Sequence, residues 1–112
     1  MRRGDAAELF LRAQRFTPAR AAEVGLINRA VPAGELDAAV TEYVDDIVRG
    51  GPLALAACKE IIDVVPGLDL DDAFALMGER SQALFRSDEA TAGIAAFRDR
   101  TDAPWVPAAR RR

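Results

Sequence analysis

The acid and base chemistry open to this sequence rests on carboxylates. Asp45-Asp46 and Asp71-Asp72 are adjacent pairs, Glu60 and Glu79 stand singly, and Ser81, Ser87 and Cys58 are the candidate nucleophiles. Two acids that converge can act as general acid and base, or hold a divalent cation. Adjacent residues on a helix do not face each other, so neither pair is expected to converge. Asp69, Asp71 and Asp72 stand near a helix start, where the helix dipole favours negative charge, and that role accounts for them. There is no histidine, which removes the commonest general base at neutral pH and the commonest metal ligand. Neither serine stands in a recognisable spacing with a base. Gly50-Gly51-Pro52 lacks the lysine and the length of a phosphate-binding loop. The residues point to a scaffold without a reaction centre. No catalytic residue and no metal ligand is expected, and nothing marks Glu60 or Glu79 as the centre of a small free-standing enzyme.

The elements that carry these residues read as helices almost throughout. Asp5 is expected to cap a first helix through AAELFLRAQ, with Leu9 and Phe10 facing inward. Thr17-Pro18 opens a second helix, because Thr caps free backbone N–H groups and Pro suits the first helical position. Gly25 can take the left-handed conformation that ends it. The run LINRAV, bracketed by Gly25 and Pro32, fits a short extended segment or an edge strand.

In ELDAAVTEYVDDIVRG the apolar residues Leu36, Ala39, Val40, Tyr43, Val44, Ile47 and Val48 follow helical spacing, which predicts a third helix. Gly50-Gly51 ends it, and Pro52 starts a fourth that keeps Cys58, Ile61, Ile62 and Val65 on one side. Asp69 caps a fifth helix to Phe85 with Leu70, Ala73, Phe74, Met77, Leu84 and Phe85 as its stripe; the stripe lapses at Arg80 and Ser81. Ser87 caps a sixth, carrying Ala90, Gly93, Ile94 and Phe97. The fold class is all-α: a cluster of about six helices with at most one short strand.

Length and composition narrow the function classes. The chain has 112 residues, half of them hydrophobic, with a formal charge of −3. One domain of that size buries roughly 65% of the surface its unfolded chain exposes. The mild charge gives no footprint for nucleic acid. Arg110-Arg111-Arg112 reads as a solvated basic tail over 106–112. Cys58 is the sole cysteine, so no internal disulfide can form. Its apolar surroundings, LALAACKEII, suggest a buried structural thiol. Met1-Arg2-Arg3 is followed by Asp5 and Glu8 instead of an apolar signal core. No apolar run reaches the ~18 residues of a membrane span. A reduced, cytoplasmic protein is expected.

The stretch FLRAQRFTPARAAEVGLINRAVP then carries a resemblance. Phe16-Thr17, Ala21-Ala22 and Gly25 to Pro32 resemble a Thr/Ser-capped helix and a Gly-Leu-Val-Asn-x-Val-Val-Pro segment of the enoyl-CoA hydratase/isomerase (crotonase) superfamily. Pro52-Leu53-Ala54 with Ala57-Cys58-Lys59 is similar to its Ser-Pro-Leu-Ala…Ala-x-Lys segment. Ser87-Asp88-Glu89 and Gly93 to Phe97 look like its C-terminal signature. The matches run in order over most of residues 6–105.

The resemblance implies a place in that fold. Residues 1–32 would end the join between a catalytic core and a C-terminal helical region, and 33–105 would be that region. Such a region covers the acyl-CoA pocket and builds trimers. A CoA thioester is the substrate in the family, and no separate cofactor is implied. The family's oxyanion hole and catalytic carboxylates belong to a core that precedes the region resembled here. The resemblance therefore implies a C-terminal portion that is inactive alone, as in a truncated or split copy. Its partners would be further copies, a missing catalytic core or a full-length paralogue. The alternative is a non-enzymatic oligomerisation or partner-binding module. One binding residue carries over: Arg100 stands where a basic side chain often reaches the nucleotide end of CoA. Ser81 replaces an aromatic near the adenine, Ala92 a glutamate, and Arg12-Ala13 a Thr-Gly. If that glycine position needs positive φ, Ala13 is strained.

Overall fold

The computed structural model describes residues 1–111. It holds six α-helices: α1 Arg3–Arg12, α2 Pro18–Glu23, α3 Leu36–Ile47, α4 Pro52–Val64, α5 Leu70–Phe85 and α6 Asp88–Asp99. Short 3-10 turns lie at Ala33–Glu35, Val65–Gly67 and Ala108–Arg110. No strand forms among the described residues, so the fold is all-α. The chain divides into two compact units, Met1–Val40 and Thr41–Arg112, with the boundary inside α3.

In the first unit, α1 begins earlier than expected. Arg2 is its extended lead-in residue and offers no side-chain cap. Asp5 sits instead in the first turn, where its carboxylate takes hydrogen bonds from Arg2 Nε at 2.8 Å and Nη2 at 3.3 Å. A carboxylate gains from the helix dipole anywhere in the first turn, and here the arginine fork adds two charge-assisted bonds. Arg20 on α2 ties the two helices together through Glu8 at 3.3 Å and Asp5 at 4.0 Å. Phe10 does not face inward: it and Leu11 are 80% and 85% exposed.

The α2 borders follow the sequence closely. The Arg20 N–H donates to Thr17 Oγ1 at 3.2 Å, and Pro18 opens the helix. At the other end Gly25 has φ +73°. Its N–H donates to the Ala22 carbonyl at 3.1 Å, and the Leu26 N–H to Ala21 at 2.9 Å. This paired closure satisfies carbonyls that the helix end would otherwise leave unbonded. The following residues bend rather than form an edge strand. The Leu26 and Ile27 N–H groups both point back to the Ala21 carbonyl, which removes them from any ladder.

In the second unit, α4 packs on α5 and α5 on α6. The buried helical positions are Ala57, Ala73 and Ala96. Asp69 caps α5 through the Asp72 N–H at 3.0 Å, and Ser87 caps α6 through the Ala90 N–H at 3.1 Å. The apolar stripe expected to face inward on α5 largely faces out: Leu70, Phe74 and Phe85 are 71%, 66% and 73% exposed. The inward face is Ala73, Leu76, Arg80 and Leu84. Cys58 is exposed, not buried. Its neighbour Ala57 takes the inward position, about 100° round the helix.

The terminal arginines are not simply solvated. Arg110 pairs with Asp45. Arg111 donates to the Val106 carbonyl at 3.1 Å and to that of Pro104 at 3.3 Å. The acidic side of α3 and the unpaired carbonyls of the tail give these cations partners. Arg112 lies outside the described residues.

Ala13 ends α1 with φ 48° and ψ 28°. A Cβ in that left-handed region is disfavoured by about 1–2 kcal/mol, partly offset by the extra unfolded-state freedom of glycine. Ala13→Gly is therefore expected to stabilise the chain by about 1 kcal/mol in urea unfolding followed by helix signal.

Candidate functional site

The start of α4 has a local defect that a distant residue repairs. Pro52 has no N–H, and Gly51 before it has no side chain to act as a cap. The next two donors would be left unbonded. Glu89, from the first turn of α6, supplies both acceptors: Oε2 takes the Leu53 N–H at 2.9 Å and Oε1 the Ala54 N–H at 3.0 Å. The carboxylate thus meets the positive end of α4 with two charge-assisted bonds. A Cβ on Gly51 would collide with the Glu89 carboxyl carbon at 2.7 Å. Glycine is required there by close approach.

Beside this joint lies an apolar cleft of about 360 Å³ between the start of α4, the end of α5 and α6. Leu84, Phe85, Ile94 and Trp105 supply its apolar walls. Trp105 comes from the tail, and its Nε1–H donates to the Arg49 carbonyl at 3.1 Å. The indole packs so closely on α6 that a Cβ at Gly93 would lie 3.0 Å from its ring. The cleft's polar wall, Glu89, already has both oxygens engaged, so the cleft suits an apolar group.

The residues singled out for chemistry are not brought together. Asp45 pairs with Arg110, whereas Asp46 is exposed. Asp71 and Asp72 lie exposed in the first turn of α5. Ser87 is spent on its cap, and its hydroxyl donates to the Leu84 carbonyl at 2.6 Å. Ser81 is exposed. Glu60 forms a forked pair with Arg80, Oε1–Nη2 2.7 Å and Oε2–Nε 3.0 Å. That hydrogen bond first, and the arginine charge after it, hold Glu60 below the ordinary carboxylate range, the wrong direction for a general acid or base near neutrality. Glu79 meets the same arginine at 3.4 Å. Among the described residues no group of three or more potential ligands could hold a metal ion. Among the described residues no helix is long and apolar enough to cross a membrane.

Arg100 is exposed and occupies the left-handed position after α6, φ 55° and ψ 41°. Its N–H donates to the Phe97 carbonyl at 3.3 Å, and that of Thr101 to Ala96 at 2.9 Å. This repeats the closure seen at Gly25, with an arginine where glycine is the unstrained choice.

The sequence of the chain matches a known family. The enoyl-CoA hydratase/isomerase family profile covers residues 3–107. The chain belongs to this family. It is 32% identical over 104 residues to a carnitinyl-CoA dehydratase of Proteus mirabilis (strain HI4320), covering 88% of this chain and 39% of that protein. It is 33% identical over 95 residues to enoyl-CoA hydratase EchA19 of Mycobacterium tuberculosis (strain ATCC 25618 / H37Rv), covering 85% of this chain and 36% of the relative. The chain thus spans about two-fifths of the length of the curated relatives it matches.

Sequence reasoning missed Glu89, Trp105 and Arg49. One signal was present for Glu89. A helix that opens on Gly-Pro has no local side-chain cap, so its acceptor is either water or a residue from elsewhere in the chain.

Two outcomes follow for this family member. Glu89→Ala is expected to cost about 1–2 kcal/mol in urea unfolding. Gly51→Ala should cost a similar amount, and the double variant should cost little more than either, because both break the same joint. Full additivity would show that Glu89 and Gly51 act independently and share no joint. Separately, the depressed pKa of Glu60 means its stabilisation is present above the unfolded value and lost as pH falls through the folded one. Glu60→Gln should therefore destabilise the chain at neutral pH. That difference should shrink once the pH drops below about 4, measured by paired unfolding curves.

Proposed function

We propose that this chain works as the C-terminal helical region of an acyl-CoA enzyme of the hydratase/isomerase family, covering the acyl-CoA pocket of a catalytic core and helping to assemble trimers. On this reading the chain supplies no catalytic group of its own and turns over nothing alone. The substrate class is a CoA thioester, with hydration or double-bond isomerisation as the reaction. A cytoplasmic setting belongs to the same reading.

The observation that carries it is the set of uncovered apolar side chains. Ile62, Leu70, Phe74, Phe85 and Phe97 are between 66% and 88% exposed. Full burial of such a side chain contributes about 1.5–3 kcal/mol. Five left mostly in water forgo roughly 5–10 kcal/mol, as much as the whole stability of many domains. Sequences keep such faces for something that covers them. The match to about two-fifths of longer acyl-CoA proteins makes a family core the fitting cover.

Arg100 is the proposed contact to the CoA nucleotide. Its exposed guanidinium suits a phosphate, and its strained backbone supports a role for the side chain.

The test grafts residues 3–107 into a full-length relative in place of the matching segment. The isolated chain is expected to hydrate no short enoyl-CoA, whereas the graft should. In the graft, Arg100→Ala should raise KM about tenfold with kcat little changed, as for loss of one charge-assisted contact. Arg100→Gly should raise KM equally while stabilising the fold by about 1 kcal/mol. Hydration by the isolated chain, or a folded graft without activity, would refute the reading.

A further inference from the structure

The residues after α6 are held more firmly than their composition suggests. Val106 is only 2% exposed. Arg49, in the turn after α3, makes three of the bonds that fix this segment. Its guanidinium donates to Asp102 Oδ1 at 3.0 Å and to the Arg110 carbonyl at 3.3 Å, and its own carbonyl accepts the Trp105 indole N–H at 3.1 Å. Arg110 adds its pair with Asp45.

The indole so placed has apolar space on two sides. One is the cleft of about 360 Å³ toward Phe85 and Ile94. The other is a cleft of about 410 Å³ toward Val48, Pro52 and Leu55. Trp105 lines both.

We propose that residues 101–111 form a strap, clasped by Arg49, whose indole fills and divides one apolar groove of the second unit and must lift to open it. The groove's occupant in the closed state is the chain's own Trp105. The floor fits that ring closely, since a Cβ at Gly93 would lie 3.0 Å from the indole. The clasp is made of two ion pairs, Arg49–Asp102 with its aspartate little exposed and Arg110–Asp45 more open; the open pair is screened by salt and contributes little, so the strap rests mainly on Arg49. Without the Arg49 side chain the strap keeps the buried Val106, the indole bond and the open Asp45 pair, and it opens as a local event while the helices persist. This goes beyond the proposed acyl-CoA role and does not depend on it.

The experiment uses the full chain and its sole tryptophan. Arg49→Met removes the guanidinium bonds and keeps an apolar stem. Its emission is expected to move to the red, and acrylamide quenching to rise roughly twofold or more as the half-buried ring opens, with far-UV helix signal retained. Gly93→Ala offers an independent route: the added Cβ pushes the indole from below, while alanine favours the helix. It should give a smaller spectral change in the same direction. Unchanged emission and quenching in Arg49→Met would overturn the clasp, whatever Gly93→Ala does. Loss of helix signal in step with the red shift in both variants would overturn the strap, because the segment would then be part of the cooperative core.

Discussion

A single carboxylate holds the C-terminal unit in register. Glu89 on α6 accepts the two N–H groups that Gly51-Pro52 leaves without a local cap on α4. Neither helix end can be changed without the other. The glycine must stay small so that the carboxylate can approach, and the proline removes the one donor the carboxylate does not reach. α5 is fixed on its own account by the Arg80 fork to Glu60 on α4. Polar joints thus set the geometry of helices whose buried positions are mostly alanine, and alanine alone buries too little area to specify one arrangement.

This division of labour explains where the large apolar residues went. With the joints polar and the contacts small, Phe74, Phe85 and Phe97 are left on outward faces. The lapse in the α5 stripe at Arg80 has the same origin. Arg80 lies on the inward face as a tether, and the stripe beside it belongs to the outward face. The unit is built to present apolar surface and not to enclose it. That suits a member of a family whose curated relatives extend well beyond the matched region.

Local chemistry was legible in the sequence. Thr17, Asp69 and Ser87 cap the helices they were expected to cap, and Gly25 takes the left-handed turn. The strain at Ala13 could be read from a glycine position filled by alanine. What failed was anything that needed to know a partner. Periodicity finds an apolar face but does not say whether it is covered, so it places Phe10 and the α5 stripe inward. Asp5 reads as a cap from its type and place, whereas its bond runs back to Arg2. Glu89, Arg49 and Trp105 act across 35 to 61 residues of sequence, and no spacing rule reports on such distances. The family resemblance supplied the order of the segments without saying what any joint does.

The central claim is that the outward apolar faces are made to be covered by a family core. The most direct measurement is sedimentation velocity of this chain mixed with a relative cut back to lack the matched region, at roughly 10 μM each, ample for an interface of standard size. One heavier boundary that contains both chains and hydrates an enoyl-CoA is the expected result. Two boundaries that sediment independently, each unchanged by the other, would contradict it.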